Sequence, residues 1–199
     1  MNRSDIETEL DFPMGIVAIN AFISRMEDEK SEIELLYQIS MERKDKVGFH
    51  AAWILEKLCE KEPAYALFFI KPLMNDFNRF INKSTIRQYA KLLSNLLKLK
   101  NKNRLFEDLN EVLENENPIH IIEACFEQLI DSKTRFSVKQ MCCEVLLHYK
   151  DKEITQLIHT PIQYIITEAN LAWQPERKKA RKIPVNFQGK LYSLPTKIS

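Results

Sequence analysis

Apolar residues recur every three or four positions along most of the chain between residues 31 and 171. This spacing places them on one stripe of an α-helix, whereas a half-buried strand would show them at every second residue. The Ile-rich run 152–171 follows the same spacing and is longer than a typical strand. The periodicity therefore predicts an all-α chain.

Glycine is scarce, with three residues in 199, against a usual frequency of ~7%. So few glycines leave little room for tight hairpins, which argues against an all-β fold. The glycines at positions 15, 48 and 189 also form no Gly-rich phosphate-binding loop, which excludes a nucleotide-binding fold of that type. A chain of this length can bury an adequate core without a disulfide or a metal ion.

Turn and capping residues divide the periodic chain into helices. Pro72 is expected to kink or split the segment in which it lies, and Ser84 is a good N-cap. Asn117–Pro118 is typical of an N-cap followed by a first helical position, and Ser137 with Gln140 forms a capping-box pattern. The predicted helices span residues 31–43, 46–60, 63–82, 84–98, 102–114, 117–130, 137–149 and 152–171.

Three predicted helices align when a small residue is placed in register. Ala52, Ala90 and Cys143 take this position. The pairs Ile54–Leu55, Leu92–Leu93 and Val145–Leu146 follow two residues later, and Leu58, Leu96 and Tyr149 lie three positions beyond those pairs. A small residue lets neighbouring helices approach closely, and the apolar positions fill the layer between repeats.

The run Ile86–Leu93 resembles the second helix of HEAT-type repeats, in which an aliphatic–Arg pair precedes a small residue and then leucine. The resemblance extends over roughly residues 31–171, with Phe49 and Gln140 at the arginine position of the other two copies. It implies an α-α superhelix, a HEAT-like or armadillo-type solenoid of about four stacked antiparallel helix pairs. Such stacks bind partners on a curved surface more often than they catalyse reactions.

The two ends of the chain carry opposite charge. Residues 1–34 hold nine acids and three bases, whereas residues 176–199 hold seven bases and one acid. Trp173–Gln174–Pro175 is expected to end the last helix, which predicts one helical-repeat domain over residues 1–172 and a basic, mostly irregular tail over 173–199. The opposite charges leave open homo-oligomerisation through a solenoid end or the tail.

Cysteine usage and hydropathy predict the compartment. Cys59, Cys125, Cys142 and Cys143 fall in apolar helical patterns typical of reduced, buried packing groups. The apolar stretch 14–23 follows an acidic leader, which is not typical of a signal peptide. No apolar run is long enough to span a membrane. We therefore expect a cytoplasmic protein without membrane contact.

No sequence motif indicates catalysis, a metal centre or a cofactor. The CxxC, HExxH and paired ExxH patterns are all missing, as are a GxSxG elbow and a P-loop. His120 with Glu116 and Glu123 is the nearest approach to a set of metal ligands. We therefore expect a protein that is not an enzyme and binds no metal or cofactor.

The predicted function is a non-catalytic binding module or scaffold that presents a helical-repeat surface to a protein partner. Trp53 occupies a position of the repeat that is expected to be partly exposed, where a tryptophan can anchor a partner. Alternatively, a neighbouring helix buries this side chain. The sequence does not identify the partner.

The alternative function is nucleic-acid binding. The resemblance implies that second helices line a concave side, and Arg87 and Lys91, four residues apart, project from one face of such a helix. The candidate phosphate contacts are Arg87, Lys91, Lys98, Lys139, Arg177, Lys178, Lys179, Arg181 and Lys182. Against this interpretation, the acidic N-terminal third would repel a polyanion on the same face. A DNA glycosylase-like enzyme, for which Trp53 and Asp76 would have to converge, ranks third.

Overall fold

The computed structural model describes residues 2–26, 29–102 and 104–149. Within these ranges the chain forms α-helices, short turns and two 3-10 segments, and it forms no strand. The α-helices are α1 (Arg3–Leu10), α2 (Ile16–Ile23), α3 (Glu29–Glu42), α4 (Lys46–Lys61), α5 (Ile70–Asp76), α6 (Lys83–Asn101), α7 (Glu107–Asn115), α8 (Ile119–Ile130) and α9 (Phe136–His148). The 3-10 segments are Pro63–Phe68 and Phe77–Arg79.

Polar residues just before several helices fix where those helices begin. The side chains of Asn2, Asp45 and Asn82 accept hydrogen bonds from backbone N–H groups in the first turns of α1, α4 and α6. Each bond satisfies one of the backbone donors that a helix start leaves free. The Asn82 amide also donates to the carbonyl oxygens of Lys44 and Asp45, at 3.1 and 3.0 Å. The beginning of α6 is thereby held beside the beginning of α4.

The helices form two layers. The first layer contains α1, α3, the segment from Pro63 to Arg79, and α8, and the second-helix layer contains α2, α4, α6 and α9. Helix α3 packs antiparallel on α4, α8 packs on α9, and α4, α6 and α9 lie side by side. The additional helix α7 contacts the 3-10 segment Pro63–Phe68 of the first layer. This arrangement confirms the predicted all-α stack of antiparallel helix pairs.

Aromatic rings join the two layers in the middle of the stack. Tyr89 of α6 is completely buried, and its ring centroid lies 4.9 Å from that of Phe80 and 6.3 Å from those of Tyr37 and Phe69. In the register of the repeats, Ala52 and Ala90 have no exposed surface. Small residues at these positions allow the close approach of second helices that the alignment predicted.

Pro72 lies in the first turn of α5 and not inside a long kinked helix. The predicted helix 63–82 is split instead at Phe69, whose φ of −143° and ψ of −4° interrupt the helical conformation before α5 begins. A proline in a first turn sacrifices no hydrogen bond, because the N–H groups there have no partner within the helix. The predicted split is therefore correct, and its position is three residues too late.

Other boundaries differ from the predictions as well. The capping box at Ser137 is wrong, because α9 begins at Phe136 and no side chain caps it. The helix predicted from residue 102 begins at Glu107. Helices α1 and α2, which the periodicity did not predict, precede α3, and both pack on α4. The predicted last helix 152–171, the domain boundary at 172 and the tail 173–199 lie outside the described residues.

Candidate binding surface

Lys91, one of the predicted contact residues, is paired with carboxylates of the neighbouring helix. Its Nζ reaches from α6 to α4, where it lies 2.7 Å from Oε1 of Glu56 and 3.7 Å from Oε2 of Glu60. The Glu56 side chain is completely buried, and this burial raises the pKa of its carboxyl group although Lys91 acts in the opposite direction. Lys91 therefore links two helices and offers little free charge to a partner.

Lys98 has the same arrangement at the next interface. Its Nζ lies 2.7 Å from Oε2 of Glu144 on α9, and Ser94 donates a hydrogen bond to the same oxygen at 3.0 Å. Partial burial raises the pKa of Glu144, but the bonds from Lys98 and Ser94 outweigh it, so that the pKa is lowered overall. The charges along the second-helix layer are thus largely compensated between α4, α6 and α9.

Arg87 and Trp53 face a different environment. Arg87, one turn before Lys91, is half-buried, and its Nε is buried without a hydrogen-bond acceptor among the described residues. Trp53 of α4 is half-buried and stacks on Phe49, with ring centroids 5.6 Å apart and planes inclined by 20°. These residues place a flat aromatic surface and an arginine on the second-helix layer.

The remaining predicted contacts are distributed differently. Lys139 is half-buried and donates from Nζ to the carbonyl oxygen of Leu129 at 2.8 Å, and burial lowers the pKa of its amino group. Asp76 lies in the first layer, on α5, and pairs with Arg79 at 2.8 Å, whereas Trp53 lies in the second-helix layer. The tail residues Arg177, Lys178, Lys179, Arg181 and Lys182 lie outside the described residues.

Two adjoining clefts open between the second helices, and sequence reasoning did not identify them. The cleft between α2 and α4, of about 440 Å³, is lined by Ile16, Asn20, Ile23, Lys57, Glu60 and Lys61. The cleft between α4 and α6, of about 230 Å³, is lined by Glu60, Leu92, Asn95, Leu96, Leu99 and Lys102, among others. Because they share Glu60, we treat the two clefts as one feature, the second-helix groove. The signal in the sequence was the apolar ridge of leucines on α6, interleaved with lysines.

The groove carries uncompensated positive charge. Lys57 is bound to Glu60, and Lys98 is bound to Glu144. Lys61 and Lys102 also line the groove, and both are exposed. Neither of these two lysines forms an ion pair within the described ranges.

The surface of α7 and α8 is acidic. Residues 107–127, which form α7 and most of α8, contain seven carboxylates and no lysine or arginine. All of these acids are exposed except Glu116, which is half-buried and pairs with Lys71 at 2.9 Å. Charge therefore differs between the groove and the surface of α7 and α8.

A model of the HEAT repeat domain family matches residues 6–169. The chain belongs to this family. The match confirms the HEAT resemblance of the run Ile86–Leu93 and extends it toward the N-terminus, where it includes α1 from Ile6 onward and α2. HEAT repeats are helical scaffolds that commonly mediate protein interactions. Comparisons with curated proteins and with solved structures gave no match.

In this HEAT repeat protein, His120 and the four cysteines lie in ordinary packing or surface environments. His120 Nδ1 lies 3.1 Å from Nδ2 of Asn78 and 3.8 Å from Glu123, and in the described part of the chain no group of three potential ligands could hold a metal ion. The four cysteines are free and buried, as predicted. Among the helices described, none is both long and apolar enough to cross a membrane.

Proposed function

We propose that this HEAT repeat protein is a scaffold that binds a protein partner in the second-helix groove. The observation that carries the proposal is the groove itself, which combines apolar side chains such as Ile16 and Leu99 with lysines that have no carboxylate partner in the described residues. Protein interfaces commonly combine an apolar centre with a charged rim. Buried cysteines without a disulfide support a cytoplasmic location for this scaffold.

Trp53 supplies a further contact in this proposal. Tryptophan is enriched among the residues that dominate binding energy, because a large, rigid ring buries much area at little entropic cost. Trp53 lies on α4, two turns before Glu60, so both project from one face of the helix. A partner that occupies the groove can therefore extend along α4 to the Phe49–Trp53 stack.

The test is affinity capture from a nuclease-treated lysate of the source cells, with the full-length protein immobilised. A Tyr substitution at Asn95, which lines the groove and is half-exposed, obstructs the cleft between α4 and α6. Asn115→Tyr makes the same change on the exposed surface of α7 and is the matched control. We expect one or more proteins to bind the wild type and the Asn115 variant and to be lost with Asn95→Tyr.

The same proteins retained by all three baits would show that binding does not use the groove. Melting curves of both variants are needed, because a loss of binding counts only where the variant is folded. A Trp53→Ala bait adds a second position, and we expect it to retain less of the same proteins. Full retention by Trp53→Ala would remove that residue from the site.

Nucleic-acid binding is the second candidate function, and Arg87 favours it. Its half-buried side chain pairs with no carboxylate among the described residues, and a phosphate would supply that negative charge. Binding of a labelled duplex and a labelled single strand, followed by fluorescence anisotropy at about 50 and about 200 mM salt, tests this function. This function is supported if the affinity for nucleic acid falls steeply as the salt concentration rises. It also requires weaker binding by Arg87→Gln and by a variant with alanine at Arg177, Lys178, Lys179, Arg181 and Lys182. Absence of binding at low salt would reject it.

A further inference from the structure

We propose that the occupant of the second-helix groove is an acidic amphipathic helix contributed by the partner protein. This inference rests on the proposed function and specifies the chemistry of the partner. It follows from three properties of the described residues: the apolar floor of the groove, the lysines at its rim and the acidic surface of α7 and α8.

The floor of the groove is an apolar ridge that is only partly covered. Leu92, Leu96 and Leu99 lie on one face of α6 at intervals of four and three residues. Leu92 and Leu96 are buried, and Leu99 is half-exposed. On the far side of α4, Ile16 of α2 keeps 46% of its surface exposed, and Ile23 is half-buried. An occupant that brings its own apolar side chains removes this surface from water, which contributes free energy in proportion to the area buried.

The rim of the groove selects the charge of the occupant. Lys61 stands at the end of α4 and Lys102 follows α6, and both amino groups lack an ion-pair partner within the described ranges. The groove carboxylates of Glu56 and Glu60 are already bound to Lys91 and Lys57. Carboxylates that flank the apolar face of the occupant would complete the pairing, whereas lysines or arginines there would oppose two uncompensated cations.

The acidic surface of α7 and α8 adds to this selection. Seven carboxylates lie between residues 107 and 127, of which Glu114 and Glu116 pair with Lys100 and Lys71. The others repel an acidic segment, and the groove lysines attract it. Such an asymmetric charge distribution steers a charged partner toward one side of a protein and raises its association rate at low salt. An acidic partner is therefore directed to the groove and away from α7 and α8.

The surroundings of the groove favour a helical occupant over an extended one. A common way to bind an extended peptide is to add it as a strand to an open sheet edge, and the described residues form no strand. The groove instead runs between neighbouring helices, where the side-chain ridge of a third helix can pack. An amphipathic helix would place apolar residues at three- and four-residue spacing on the floor and its acidic residues beside the lysines.

The test begins with selection of random peptides of about 16 residues, roughly four helical turns, displayed on phage against the immobilised full-length protein. We expect the enriched peptides to combine Glu or Asp with Leu, Ile, Phe or Met at helical spacing. One enriched peptide is then synthesised with a fluorophore, together with a version in which lysine replaces every acid. We expect the lysine version to lose binding.

Two double variants with the same change in charge locate the binding site. Lys61→Glu with Lys102→Glu reverses both groove lysines, and we expect it to weaken the acidic peptide by about tenfold or more. Lys44→Glu with Lys133→Glu reverses two exposed lysines that precede the first turns of α4 and α9, whereas Lys61 and Lys102 lie at the last turns of α4 and α6. We expect this control pair to change binding less than about twofold. Melting curves confirm that both double variants remain folded.

Each result decides the inference. The acidic-helix assignment would be overturned if the selection enriched basic peptides, purely apolar peptides or no peptides. It would also be overturned if the two double variants changed peptide binding equally. The lysate experiment would still stand in each case, because loss of proteins with Asn95→Tyr does not depend on the charge of the occupant. A single-stranded oligonucleotide that displaces the acidic peptide would point to nucleic acid instead. If the Lys61→Glu, Lys102→Glu variant also lost both ligands, the groove would be assigned to nucleic acid.

Discussion

Nζ of Lys91 lies 2.7 Å from Oε1 of Glu56, a carboxylate of the neighbouring helix that has no exposed surface. The next cation, Nζ of Lys57, is farther away, at 3.8 Å from the other oxygen. A buried carboxylate is costly unless a charge compensates it, whereas the lysine can turn to water. Loss of Lys91 should therefore reduce the stability of the protein more than loss of the charge of Glu56, and unfolding measurements can compare the two.

Removing the lysine should destabilise the protein more than neutralising the acid. Lys91→Met leaves Glu56 buried without its main partner, and we expect the free energy of unfolding to fall by roughly 2 kcal/mol, below the range for fully buried pairs because Lys91 is partly exposed. Glu56→Gln keeps an oxygen that accepts a hydrogen bond from Lys91 and should cost at most about 1 kcal/mol. Urea unfolding of both variants gives these values. Equal losses, or a larger loss for Glu56→Gln, would contradict this expectation.

Glu56 should also make the stability depend on pH. Burial raises its pKa above the usual value of 4.5 in the folded state, despite Lys91 and Lys57. The folded protein thus holds this proton more tightly than the unfolded chain, and its stability falls as the pH rises from the unfolded pKa through the folded pKa. Relative to Glu56→Gln, the wild type should lose stability as the pH rises above about 4.5. Unfolding curves in which this difference stays constant would exclude the raised pKa.

Asp131 should act with the opposite sign. Its pKa is lowered to about 2, first by the hydrogen bond from Lys83 and then by the backbone N–H of Lys133. A lowered folded pKa contributes stability above the unfolded value of about 3.9, and this contribution disappears as the pH falls toward 2. Asp131→Asn should therefore be less stable than the wild type at neutral pH, and the difference should shrink in acid. Acid titrations of both proteins, followed by circular dichroism, test the sign.

The periodicity of the sequence predicted α4 and α6 well because each of these helices packs between two neighbouring second helices. Helix α4 begins one residue after its cap Asp45, and Ala52 and Ala90 have no exposed surface, as the alignment required. Helix α2 escaped detection because its sequence, IVAINAFI, is apolar on every side and shows no stripe. The end of a stack exposes such a face, with Val17 exposed by 79%.

The chemistry of the candidate site was harder to predict. Lys91 and Lys98 were identified as solvent-facing cations, because their spacing on α6 is visible in one stretch of sequence. Their partners Glu56 and Glu144 lie in the preceding and following second helices, and only the stacking register brings them together. A row of lysines on one helix therefore predicts a basic surface only when the acids of neighbouring helices are placed as well.

Gly48 should be sensitive to substitution by alanine. An ideal Cβ at this position lies 2.0 Å from the backbone oxygen of Arg43, where the turn after α3 crosses the start of α4. Alanine improves helix propensity by about 1 kcal/mol, but a contact this short with a backbone atom forces the turn to move, at a cost of roughly 1–3 kcal/mol. We expect a net loss of stability, seen as a lower melting temperature.

Gly15→Ala is the matched control for this prediction. No atom lies within 4 Å of an added Cβ there, so that only the preference of the N-cap position for glycine is lost. We expect its melting temperature to change less than that of Gly48→Ala. A larger decrease for Gly15→Ala would show that the α3–α4 turn tolerates the extra methyl group.

The hydroxyl pair between α3 and α6 gives a final prediction. The Tyr89 hydroxyl is completely buried, 2.5 Å from Oγ of Ser40, and Ser40 itself donates to the carbonyl oxygen of Tyr37 at 2.7 Å. Tyr89→Phe removes the donor and leaves Ser40 bonded, so we expect a loss of about 1 kcal/mol. Ser40→Ala leaves the Tyr89 hydroxyl buried without its acceptor and should cost more, about 1–3 kcal/mol. Urea unfolding of the two variants tests this order. If Ser40→Ala were the milder change, the Tyr89 hydroxyl would have to find another acceptor in the core.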